Sequence, residues 1–198
     1  MDDQQNGEKG QEPNSLATAA ALKEKRARSD TTLASFMGKN KPKDEVYWDD
    51  DSGKPKSRNS TQYSDVIGVL LKQSRRFKWH KHWDKQDDEA KDWLWAELMD
   101  LFTLDDCRKK DTLSIAGGIF RNKKSTWKSG KYKKSNTLAQ NLAGRPNALT
   151  EGEWNELVKH WDGAEHQKLS AKNIISRSKQ KTKHTMGRKN YARCKAEL

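Results

Sequence analysis

Two stretches of this chain hold many bases and no acid, and they limit how much of it can pack into a compact fold. Arg121 to Lys134 carries seven basic residues: Arg121, Lys123, Lys124, Lys128, Lys131, Lys133 and Lys134. Lys168 to Lys195 carries ten more, among them Arg177, Lys179, Lys181, Lys183, Arg188 and Lys189. Like charges at this density repel one another and weaken a compact state unless a polyanion neutralises them. The pattern is the footprint of a nucleic-acid binder, whose affinity comes largely from releasing counterions at phosphates. Composition sharpens the point. Apolar residues make up 32% of the 198 positions and charged residues 34%, so the core must be small and part of the chain is expected not to fold alone.

The charge is placed unevenly. Residues 1–60 balance eleven Lys/Arg against eleven Asp/Glu, so the whole net charge of +12 lies downstream. These first sixty residues also hold Pro13, Pro42 and Pro55 and little that is apolar, which predicts a disordered polar arm. Tyr47-Trp48 before Asp49-Asp50-Asp51 reads as an incidental aromatic island within it. Residues 61–198 are expected to form a small, mainly α, basic domain.

Within that domain Val66, Ile67, Val69, Leu70 and Leu71 make a short apolar helix or strand that ends at Arg75-Arg76. Trp95, Leu98, Met99 and Phe102 fall at i, i+3, i+4 and i+7, which predicts a helix over 87–102 with an acidic first turn. A third helix is expected over 112–132, with Gly117-Gly118 interrupting it at ~1 kcal/mol per glycine. Its bases are expected to spread around the axis, which favours phosphate contacts over base readout. Thr150-Glu151-Gly152-Glu153 is a capping box, followed by a Trp154, Leu157, Val158, Trp161 stripe. A last helix is expected to start at Ser170 and pass through Ile174 and Ile175. Trp95, Trp154 and Trp161 read as core, whereas Trp127, interleaved with lysines, reads equally as a core residue or as one that stacks on bases.

No catalytic constellation emerges. Walker, GxGxxG, GxSxG and HExxH motifs are absent, so neither a catalytic residue nor a cofactor is expected. Nine carboxylates between Asp84 and Asp106 read as a solvated helix face, and His80-Lys81-His82 falls short of a metal site. Cys107 and Cys194 stand 87 positions apart without CxxC spacing, which fits a reducing compartment. No apolar run approaches the ~18 residues of a membrane span, and no membrane partner is expected.

The C-terminal region resembles the plant transposase family Ptta/En/Spm. The resemblance rests on Ser170-Ala-Lys-Asn-Ile-Ile-Ser-Arg-Ser-Lys, on Lys183-His-Thr-Met-Gly-Arg-Lys-Asn-Tyr-Ala, and on the Trp154–Trp161 helix before them. A looser likeness reaches back to Phe77 and includes Lys124-Ser-Thr-Trp-Lys128. Arg188 and Asn190 stand where serines are usual. The resemblance implies a nuclear, transposon-derived accessory protein that binds DNA without strand transfer and works beside a transposase or other nuclear proteins. The phosphate-binding candidates are the seven bases of the first run with Arg177, Lys179, Lys181 and Lys183. His184, Arg188 and Lys189 are candidates for orientation or base contact. The alternative is a protein-interaction module that uses the acidic 84–106 helix and the Tyr47-Trp48 island, its basic tail serving nuclear import.

Overall fold

The computed structural model describes residues 42–56 and 59–180. Within them six α-helices dominate, so the fold is mainly α. Helix α1 (Ser60–Gln73) sits in the middle and buries Tyr63, Val66, Ile67, Leu70 and Leu71. An apolar run of this kind fits a buried helix and a buried strand alike; its length and its near-total burial decide for the helix. The chain leaves α1 through Arg75 in the left-handed region (φ 56). That conformation costs a side-chain-bearing residue roughly 1–2 kcal/mol. Arg75 offsets it by donating from Nη1 to Ala148 O (2.8 Å) and Glu153 Oε2 (2.7 Å).

An aromatic loop follows. Trp79 stacks on Phe120 at 4.4 Å between centroids, and Phe77 stacks on Trp83 at 5.7 Å. The buried amide of Gln86 closes the loop, accepting from Lys78 N (2.9 Å) and donating to Lys78 O (2.8 Å). Helix α2 (Asp88–Leu101) then presents Ala90, Leu94, Trp95 and Leu98 to the core, while Met99 stays half-exposed.

Residues 42–56 correct the expected extent of the arm, because they pack on the helical body. Strand β1 (Asp44–Glu45) pairs in parallel with β4 (Phe102–Thr103), and β2 (Trp48–Asp49) pairs antiparallel with β3 (Lys54–Pro55). Val46 is buried, and Trp48 meets Tyr63 edge-on at 5.9 Å. The aromatic island is therefore a foothold on α1. Low apolar content hid this, since only a few side chains carry the contact.

Helix α3 (Lys109–Lys131) runs unbroken for 23 residues through Gly117-Gly118. A Cβ on Gly117 would lie 2.7 Å from Trp83 Cδ1, so glycine is what lets the indole lie against the helix. Helix α4 (Leu138–Ala143) is short and carries a capping box of Thr137 and Gln140. The buried Asn141 ties it to the preceding loop, bonding Lys133 N and O at 3.0 Å each. Helix α5 (Glu151–Asp162) starts at the expected Thr150/Glu153 box and buries Trp154, Leu157, Val158 and Trp161. After Gly163, helix α6 (Ala164–Ser178) begins six residues ahead of the expected Ser170 and buries nothing. Without an apolar stripe its first turns left no periodic signal.

Candidate nucleic-acid interface

The first basic run is the rear half of α3 and the loop after it. In a helix Arg121, Lys124, Lys128 and Lys131 stand at i, i+3, i+7 and i+10, inside an arc of about 80°. They make one stripe along the edge of the buried face, where an even spread around the axis was expected; Lys123 falls outside that arc. Arg121, Lys131, Lys133 and Lys134 are exposed. Lys124 and Lys128 are half-buried and turned inward. Lys124 Nζ donates to Lys81 O at 3.1 Å, and burial pulls its pKa down to about 8. Lys128 Nζ lies 2.8 Å from His166 Nε2, and burial lowers its pKa as well.

Trp127 is half-buried with its ring edge-on to Trp79 at 4.6 Å. It extends the Trp79–Phe120 stack, so a large part of the ring is committed to the protein's own packing. Trp127 is thus a flank of the core, the first of the two readings its sequence context allows.

The second basic run begins on α6. Lys172, Arg177 and Lys179 are exposed, whereas Lys181, Lys183, His184, Arg188 and Lys189 lie outside the described residues. Helix α6 lies beside the rear of α3, and the two enclose a groove of about 680 Å³. Ser125 and Lys128 of α3 face His166, Ser170, Asn173 and Arg177 of α6 across it, and no carboxylate lines it. Two basic segments distant in sequence thus share one concave surface.

At one end of this groove His166 meets a second histidine. The rings of His160 (α5) and His166 (α6) lie 4.8 Å apart. His80 Nδ1 lies 2.9 Å from Glu156 Oε2. Burial, then Lys124, His166, His80 and Lys128, push the pKa of His160 down to about 4. Burial and the same two lysines lower that of His166. The helix break at Gly163 brings the pair together, and no regular spacing announced it. Gln167 fixes the first turn of α6, donating from Nε2 to Trp161 O (2.6 Å) and Tyr132 OH (3.3 Å). The Tyr132 hydroxyl in turn donates to Asp162 Oδ1 at 2.5 Å. Burial and that carboxylate raise its pKa to about 12.

The acidic segment lies elsewhere. Asp88 pairs with Lys91 (2.9 Å), Asp92 with Lys109 (2.9 Å) and Asp87 with Lys78 (3.2 Å). Tyr47, half of the aromatic island, is exposed and donates to Glu45 Oε2 at 2.6 Å. Among the described residues no group of three or more His, Cys, Asp or Glu is placed to hold a metal ion. None of their helices is long and apolar enough to cross a membrane.

Residues 151–198 match the model of the plant transposase family (Ptta/En/Spm). The matched stretch takes in α5 and α6, and with them the α6 wall of the groove; α3 lies outside it. No curated protein and no solved structure matches the chain.

Proposed function

We propose that this protein is a transposon-derived, nuclear accessory factor that binds duplex DNA through its two basic segments and performs no strand transfer. One observation carries the reading: the rear of α3 and α6 meet along a single groove lined by Lys128, His166 and Arg177 and by no carboxylate. Phosphates are the natural complement of such a surface, and basic side chains position a duplex without specifying its sequence. The similarity of residues 151–198 to plant transposases supports the mobile-element origin. The interaction-module alternative draws less support, because Asp87, Asp88 and Asp92 are already matched to lysines of the same molecule.

The test is fluorescence anisotropy of the full chain on random duplex DNA across a salt series. The triple variant K172Q/R177Q/K179Q is expected to shallow the log–log slope by up to about 0.9 for each phosphate that is no longer neutralised. An unchanged slope removes α6 from the interface. No binding at low salt ends the DNA reading.

A further inference from the structure

We infer that the inner end of the α3–α6 groove is a built oxyanion site for a phosphate group, in which Lys128 and His166 form the cradle and His166 takes up a proton as the anion enters. Its nucleic-acid source rests on the DNA-binding reading; the cradle itself does not.

The geometry at Lys128 and His166 is the starting point. An ammonium group has no acceptor, so at 2.8 Å the His166 Nε2 must be the acceptor, and the imidazole is neutral with its proton on Nδ1. Lys128 thus spends a donor on a neutral ring instead of a carboxylate. Every charged or titratable group facing His166 from the packed elements is basic: Lys124 and Lys128 on α3, and His160 on α5. Arg177 lines the same groove from α6 itself. The carboxylates of α5 are engaged elsewhere. Glu153 faces Arg75, Glu156 faces His80, and Asp162 takes the Tyr132 hydroxyl. Glu151 opens the helix at its far end.

Such a cluster lacks only a negative charge. Burial first, and then the neighbouring positive charges, depress the basicity of both histidines, and an anion beside them raises it. As a phosphate oxygen enters, the Lys128 N–H turns from the ring to the oxygen. A solvent proton then binds His166 Nε2, which becomes a second charged donor. Ser125 of α3 and Ser170 and Asn173 of α6 supply neutral donors along the groove. One proton enters for each phosphate bound.

The experiment uses the full chain at constant ionic strength. His166 ring resonances are followed by NMR from pH 5 to 8 with and without inorganic phosphate. In parallel, random duplex DNA is titrated calorimetrically in two buffers of different ionisation heat. Phosphate is expected to raise the His166 pKa. DNA affinity is expected to climb as pH falls, by at most ~tenfold per unit for a single proton, with close to one proton taken up at neutral pH. H166Q should abolish the uptake yet leave salt-dependent binding at pH 8. H82Q, at an exposed ring paired with Asp84, should change neither. K128Q should let the His166 pKa rise without phosphate and blunt the response to it. A His166 pKa unmoved by phosphate, or proton uptake that survives H166Q, overturns the site. DNA that binds without uptake also overturns it while the DNA reading stands. DNA that fails to bind while phosphate still shifts His166 overturns the DNA reading and leaves a free-phosphate site.

Discussion

Helices α5 and α6 are neighbours of similar length, and they are built on opposite principles. Helix α5 begins with a reciprocal capping box and buries a continuous stripe of two tryptophans, a leucine and a valine. Helix α6 has no side-chain cap and no buried residue; Leu169, Ile174 and Ile175 all stand exposed. What attaches it is polar: the Gln167 amide on Trp161 O, and His166 against Lys128. A helix of this length with no buried face is marginal in water. The first helix is therefore held by the core and the second by a few contacts around a charged groove. Helix α3 repeats the contrast along its own length, with Thr112, Ala116 and Phe120 buried in front and lysines behind.

Point substitutions put this contrast at risk. Trp161→Ala should cost roughly 3–5 kcal/mol in urea unfolding, as expected for emptying a core site of this size. A cost near that of a surface change would mean that α5 is no better anchored than α6. Gly117→Ala, in the packed front of α3, should lose about 1–3 kcal/mol by displacing the Trp83 indole, only partly offset by alanine's helix preference of ~1 kcal/mol. Gly118→Ala meets nothing within 4 Å and should stabilise. If both alanines stabilise, the Trp83 contact does not require glycine.

Acid should act at the α5–α6 junction. The folded-state pKa of His160 lies near 4, below the ~6.5 of an unfolded histidine. The unfolded chain therefore binds more protons between these values. The contribution is complete above about pH 6.5 and is lost as pH falls toward 4. A falling urea midpoint over that window, flattened in H160N, is expected; a flat wild-type profile contradicts it. The loss is modest, because His160 is only partly buried and solvent screens it. Smallest of all, Ile175→Ala should change stability by no more than ~0.5 kcal/mol. A larger loss would mean that α6 has an apolar partner.

What was legible in the sequence was local. The Thr150/Glu153 box and the stripe after it are complete within twelve positions, and the structure follows them residue for residue. Helix α4 was not predicted, although its Thr137/Gln140 box is the same kind of signal, because the helix is too short for a periodic pattern. Continuity through Gly117-Gly118 was not legible, because a ring from a distant loop decides it. The packing of 42–56 depends in the same way on Tyr63 and Phe102, which no reading of that segment reveals. For the candidate site, charge density marked the two basic segments. Their convergence on one groove, and the two histidines at its end, needed the turn at Gly163.

The Arg75 anchor bears on how the transposase-like segment can be handled as a module. Glu153 accepts from Thr150, its own cap, and from Arg75, which lies 78 positions away. Trp154 donates to Asn141 O, and Trp161 meets Tyr132 at 5.3 Å. Every one of these partners precedes residue 151. A fragment cut at the boundary of the match would carry one side of an interface and none of the other, with two indoles bare and too few residues to cover them. A unit for expression or fusion therefore has to include α1 and Arg75 as well as residues 151 onward.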